Sequence, residues 1–202
     1  MKTFLSIIAT SALALLMTGC GLVSPRYGND WSDYRGPSVE NGRQADRIRA
    51  SRAIGEYMEA KADAILSHSR DGEVRVISDR NRMPALQVTY SSQFLIATLG
   101  DGVSNRGGRE LDFVCKLMSD ENHVDVSIIG GTRDSDPTKV LSSVNAIKRF
   151  MSRRGVSKSR IVEADVARGG SIFSDTYTIT FFADKNLIKR AEKGEFSYTG
   201  RF

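Results

Sequence analysis

The 202-residue chain holds two cysteines, two histidines and one tryptophan, and each shortage removes a class of chemistry. His68 and His123 stand far apart in sequence, with no thiol or carboxylate at metal-ligand spacing, so no metal centre is expected. There is no nucleophile elbow and no spaced acid pair, which argues against an enzyme. The glycines between positions 101 and 108 are not followed by the Lys-Ser/Thr of a phosphate-binding loop, so that stretch is expected to be a loop entering a helix, with no nucleotide or other cofactor. Lys plus Arg outnumber Asp plus Glu by 29 to 24, but the basic residues form no stripe interleaved with aromatics, and nucleic acid is not an expected partner. The mild positive charge still permits association with anionic surfaces. Long apolar runs are missing too. The longest, Phe4 to Met17, has 14 residues, short of the roughly 20 that cross a bilayer as a helix.

What that run does have is a signal-like frame. Lys2 precedes it, and Thr18-Gly19-Cys20 closes it with small residues before a cysteine, the layout of a cleaved targeting segment. The segment resembles the lipobox of bacterial lipoproteins, with Met17 where leucine is usual. The resemblance implies that residues 1–19 are removed and that Cys20 becomes the first mature residue, carrying a diacylglycerol and an acylated amine. Several acyl chains hold a protein far more firmly than one. Gly21 stands where lipoproteins of the inner membrane usually have Asp, so the resemblance implies lipid anchoring in the outer membrane, facing the periplasm. With Cys20 taken by lipid, Cys115 has no intrachain partner, and it falls on the apolar face of a predicted helix as a buried thiol.

Residues 20–46 are polar, with Tyr27, Trp31 and Tyr34 scattered among Gly, Ser, Asn and Arg, and read as a tether whose aromatics are either loose sticky points or a partner contact. Residues 47–84 read as a helix with one apolar stripe, Ile54, Tyr57, Met58, Ala62, Ile65 and Leu66, then a strand from Glu73 to Ser78 leading into the domain proper. A strand follows at Ala85 to Tyr90. Leu111, Val114, Cys115 and Met118 predict a helix from Gly108 to Met118, and Val124, Val126 and Ile128 alternate as a strand ending at Gly130. Pro137, behind a capping Asp134-Ser135-Asp136, opens a helix whose buried face is Val140, Val144, Ile147 and Met151, with Leu141 and Phe150 widening it. Gly155 is expected to close it in the left-handed conformation, followed by Val156. Strands are expected at Ile161 to Val166 and Thr176 to Phe182. The order β-α-β-α-β-β over residues 85–182 implies an α+β, two-layer domain with helices on one face of a mixed sheet. Residues 183–202 are expected to be a frayed, charged tail.

Two stretches of this domain, residues 124–132 and 150–161, resemble the strand-Gly-Gly-Thr and helix-Gly-Val turn of the OmpA-like peptidoglycan-associating domain, as does the element order. In that family an Asp directly after the Thr and an Arg in the next helix clamp the ammonium and carboxylate of diaminopimelate in the peptidoglycan stem. Here the Asp position holds Arg133, with Asp134 and Asp136 close behind. The Arg position holds Ser143 when counted back from Gly155, or Asn145 when Leu141-Ser142 is aligned, and Lys148 and Arg149 are the cations nearby in sequence. The resemblance thus offers Thr132, Arg133, Asp134, Asp136, Asn145, Lys148 and Arg149 as a rearranged clamp, against a plain solvated loop. It implies a lipoprotein linking membrane to peptidoglycan. The alternative is a structural subunit of an envelope-spanning secretion machine, of the type IVB or type VI kind, whose domain has lost peptidoglycan binding and meets protein partners instead. In plan the chain is similar to the OmpA-like lipoprotein of Dot/Icm type IVB systems.

Overall fold

The computed structural model describes residues 42–69, 71–98, 102–131, 136–167 and 175–198; the signal segment and most of the tether lie outside them. The elements are α1 (Gly42–His68), β1 (Glu73–Ser78), β2 (Pro84–Ser91), a single helical turn α2 (Ser92–Leu95), α3 (Asn105–Leu117), β3 (Val124–Gly130), α4 (Pro137–Arg153), β4 (Ile161–Val166), β5 (Thr176–Ala183) and α5 (Lys185–Glu192). The strands form one sheet in the order β1-β2-β5-β3-β4. Only β3 and β4 run parallel, with α4 as their crossover, and the other pairs are antiparallel.

Alternation along the strands sets the layers. Leu86, Val88 and Tyr90 of β2 pair with Phe181, Ile179 and Tyr177 of β5, which in turn face Val126, Ile128 and Gly130 of β3. The side chains among these are buried and form the core with Val140, Val144, Ile147 and Met151 of α4 and Ile54, Met58 and Ile65 of α1. Gln87, Thr89, Thr178, Thr180 and Ile129 alternate onto the other sheet face and are only partly covered; the Thr89 and Thr178 hydroxyls lie 3.3 Å apart there. The two-layer α+β fold expected from the pattern is the one found.

Local chemistry explains the boundaries. Asp136 caps α4 by accepting the Thr138 N–H at 2.9 Å, with Pro137 in the first turn. Gly155 ends the helix at φ +98°, and Val156 behind it is buried; Phe150 packs against the core as expected, whereas Leu141 is 39% exposed and does not widen the buried face. The third helix starts at Asn105, three residues before the expected Gly108, because the Ser104 hydroxyl accepts the Gly107 N–H at 2.9 Å and caps the earlier turn. Cys115 lies fully buried on its inner face.

Two expectations need correction. The helix assigned to the lead-in begins at Gly42 and runs 27 residues, so the last residues of the expected tether are helical. Its stripe, apart from Leu66, which turns outward at 51% exposed, belongs with β1 to the same core as residues 85–182. Residues 183–198 do not fray. Asp184 caps α5 through the N–H groups of Asn186 and Leu187, and Leu187 and Ala191 are buried. Beyond α5, Phe196 and Tyr198 set their rings edge-on to Tyr57 of α1, with centroids 5.8 and 5.4 Å away. Lys61, 3% exposed, pairs with Asp120 at 2.5 Å, and the Tyr57 hydroxyl donates to the same carboxylate at 2.8 Å. An eight-residue helix with three apolar residues carries too little periodicity to stand out in the sequence; its stability comes from this packing on α1.

Candidate functional site

At one end of the sheet, β2 finishes at Ser91, β3 at Gly130, and β5 begins at Thr176. The start of α4 lies over the same end, because Gly130 has no side chain. A Cβ built there would come within 2.3 Å of Val140 Cγ1 and 3.0 Å of Val144 Cγ2. This close approach leaves a cleft of about 490 Å³ between α2 with its following loop and the first turns of α4, lined by residues of both and by Tyr177.

The floor of the cleft is buried: Ile96, Val140, Ser143 and Tyr177. Ser143 is 5% exposed, yet neither its hydroxyl nor that of Tyr177 has a hydrogen-bond partner among the described residues. Neither hydroxyl is among the buried polar atoms left without a partner, so both are reachable from the cleft and can hydrogen-bond a polar guest. The rim is charged and polar. Asp136 supplies an anion whose Oδ1 is committed to the Thr138 N–H, while its Oδ2 makes no hydrogen bond among the described residues. Lys139 supplies a cation with no ion pair among the described residues, and Gln93 and Thr98 add neutral groups from the opposite wall. The 17-residue α4 points its N-terminus here, which favours a negative group near Lys139. One anion, one cation and two hydroxyls around one hollow suit a zwitterion carrying both an ammonium and a carboxylate.

The candidate residues divide by where they fall. Thr132, Arg133 and Asp134 lie outside the described residues. Asp136 lines the cleft. Asn145, Lys148 and Arg149 do not. Helix geometry explains the division: positions 136, 139, 140 and 143 follow i, i+3, i+4, i+7 and share one face, whereas Asn145 is about 200° around from Ser143, and Lys148 lies about 18 Å along the axis from Asp136. The sequence reading overlooked Lys139, although this spacing from the expected cap at Asp136 singles it out. Ser92, Gln93, Thr98 and Tyr177 come from elements distant in sequence, and no local pattern marks them.

A scan of protein-family models finds no match to the chain, and a search of curated proteins finds none either. Solved structures do match. A MotB-like protein from Desulfovibrio vulgaris, 12% identical, overlaps 69% of this chain and 99% of its own with a TM-score of 0.54. The cell wall anchor of the type VI secretion system from Pseudomonas aeruginosa, 14% identical, overlaps 65% and 99% with a TM-score of 0.48. The periplasmic domain of Helicobacter pylori MotB, 11% identical, overlaps 64% and 90% with a TM-score of 0.47. At these identities the likeness is one of fold, and the fold assignment rests on the first of the three.

Proposed function

We propose that this protein is a lipid-anchored linker between the outer membrane and peptidoglycan, held in the membrane through Cys20 and gripping the wall through the cleft. In this reading the Asp136 carboxylate takes the ammonium of a zwitterionic centre in the stem peptide, and Lys139 takes its carboxylate. Ser143 and Tyr177 supply hydroxyls beneath. Thr132, Arg133 and Asp134 precede Asp136 in sequence and remain candidates on that ground. The carrying observation is the pairing of Asp136 and Lys139 at the rim, over two hydroxyls that line the same cleft and make no hydrogen bond among the described residues. A lysine is a point charge where a guanidinium would give a two-pronged grip, so the clamp is looser than the family's and reads charge more than shape.

Polarity of the domain supports the same reading. Arg47 near the start of α1 donates to the Asn81 carbonyl in the β1–β2 turn, at the sheet end opposite the cleft. The chain from the anchor therefore enters on one side and the cleft faces the other, as a linker requires.

A second reading, a structural subunit of an envelope machine, is favoured by the same clamp. Its cation is an exposed lysine and its inner floor holds only neutral groups, which is what a pocket that no longer binds peptidoglycan would retain. Co-sedimentation with purified sacculi separates the two. The linker reading expects the chain to sediment with sacculi and Lys139→Glu to abolish this by placing two like charges at the rim. A wild-type chain that stays in solution while a known wall-binding domain sediments would leave the second reading.

A further inference from the structure

The described surface carries a second concentration of charge that the cleft does not use. Arg43 and Arg47 lie one turn apart on the same face of α1, and Arg80 and Arg82 flank Asn81 in the turn between β1 and β2; all four are exposed. The Arg47 guanidinium donates to the Asn81 carbonyl at 2.6 Å, which brings the two pairs together at one end of the molecule. A hollow of about 540 Å³ lies against Gly42, Arg43, Gln44 and Arg47.

Neutralisation within the domain is slight. Asp79 is the turn's own acid, and its Oδ1 accepts the N–H groups of Asn81 and Met83, each at 2.8 Å. Asp46 is taken by Arg49 at 3.1 Å. Glu163 comes only within 3.9 Å of Arg80, whose side chain is 93% exposed. Arg43, Arg47 and Arg82 have no carboxylate partner among the described residues. Arg82 also sits at φ +59°, where glycine or asparagine is the favoured residue, so the backbone of the turn gives no reason for an arginine. The eight residues of β2 set this end apart from the cleft, about 26 Å away at 3.3 Å per residue.

We propose that this arginine end is a docking surface for an anionic phospholipid bilayer, seating the domain on the membrane with its cleft turned away. Guanidinium groups match phosphate oxygens in a planar fork, and clustered basic residues gain from an anionic leaflet as long as they stand within a Debye length of it. The membrane is the occupant because of where the chain enters: Gly42, at this end, follows Cys20 by 22 positions. That last step rests on the anchoring proposed above. Binding to lipid and binding to sacculi are measured separately, so either can fail alone.

The test uses residues 21–202, which keep every described residue and lack the apolar segment that would insert into any vesicle. Vesicles of phosphatidylcholine with about 30% phosphatidylglycerol are compared with phosphatidylcholine alone by co-sedimentation, at about 0.1 M and 1 M salt. Binding is expected only to the anionic vesicles and is expected to vanish at high salt. Each arginine near such a surface contributes about fivefold, so Arg43→Gln with Arg82→Asn is expected to lower the partition about 30-fold. Asparagine suits the left-handed turn, and neither arginine makes a side-chain contact the fold needs. Arg109→Gln, on α3 near the other end, is expected to change it less than about twofold. Equal binding to both vesicle types, or anionic-vesicle binding unchanged in the double variant with its circular dichroism intact, would overturn the proposal.

Discussion

Gly130→Ala tests how a strand end shapes the cleft. The added Cβ would lie 2.3 Å from Val140 Cγ1, 3.0 Å from Val144 Cγ2 and 3.2 Å from Tyr177 Cε1. Carbon atoms in contact sit about 3.5–4.0 Å apart, so the first clash alone demands a shift of more than about 1 Å. Val140 cannot yield by rotation, because a β-branched side chain in a helix has essentially one rotamer and this one is buried. The first turn of α4 must move instead. Overpacking of this kind costs about 1–3 kcal/mol, and replacing a strand glycine returns about 0.5–1 kcal/mol, leaving a net loss of about 1–2 kcal/mol. Calorimetry should then record a Tm lower by about 2–8 °C. Asp136, Lys139, Val140 and Tyr177 all line the cleft, so co-sedimentation with sacculi should weaken although no charge has changed. In Gly130→Ala/Val140→Ala the valine methyls that meet the new Cβ are gone, and the double-mutant cycle should show a favourable coupling of about 1 kcal/mol or more. A Gly130→Ala protein that melts within about 1 °C of the parent and binds sacculi equally would refute the reasoning.

The remaining predictions concern buried groups. Burial pushes the Cys115 thiol up to about 12, and only the thiolate reacts, so the folded chain should resist iodoacetamide at about pH 8 and react on unfolding at the rate of a free thiol; fast labelling of the native protein would contradict the assigned burial. The sign for stability follows: below the unfolded value near 8.5 both states keep the proton, and the protection is lost as pH rises from there through about 12, so Cys115→Ala should flatten the alkaline fall in stability. Asp120→Ala removes the carboxylate shared by Lys61 and Tyr57 and leaves a buried ammonium without it; because Asp120 is itself half exposed, the expected cost is about 2 kcal/mol in urea unfolding, below the 3–5 of a fully buried pair. Adding Lys61→Met should recover most of that loss.

Legibility in the sequence tracked how local the determining physics was. The α4 boundaries were readable because Asp136, Pro137 and Gly155 act within a turn of where they stand, and the strands at Glu73–Ser78 and Ile161–Val166 because alternation and flanking breaks define them. The C-terminal helix was not, since Leu187 and Ala191 gain their meaning only from α1, well over a hundred residues earlier. The cleft divides in the same way. Asp136 was visible as a cap and acid, whereas Lys139 drew no notice as one of 29 basic residues until a folded α4 set it beside Ser143. Tyr177 read only as a strand residue, and that it ends under the mouth of a cleft depends on β5 lying between β2 and β3. Lys148 and Arg149 are close to the cap in sequence, but about 100° of rotation per helical residue turns both away from the cleft.

The character of the clamp bears on why the other end of the domain matters. Lys139 is exposed, so its attraction for a carboxylate at about 4 Å lies between the roughly 1 kcal/mol of bulk water and the roughly 4 kcal/mol of a protein surface, and salt weakens it further. Ser143 and Tyr177 add neutral hydrogen bonds worth about 0.5–1.5 kcal/mol each. Such a site grips a free stem-peptide fragment weakly. On the proposed reading it does not meet a free fragment: lipid at Cys20 confines the domain beside the wall, and the arginine end, seated on headgroups, fixes which way the cleft points. Both raise the effective concentration of the wall at the cleft without adding any contact there. A weak, salt-sensitive clamp is then sufficient for linkage, because the lipid anchor and the basic end hold the cleft against the wall. Purified stem peptide should accordingly bind residues 21–202 far more weakly than intact sacculi hold the anchored chain, and equal affinities in the two formats would show that the cleft alone carries the linkage.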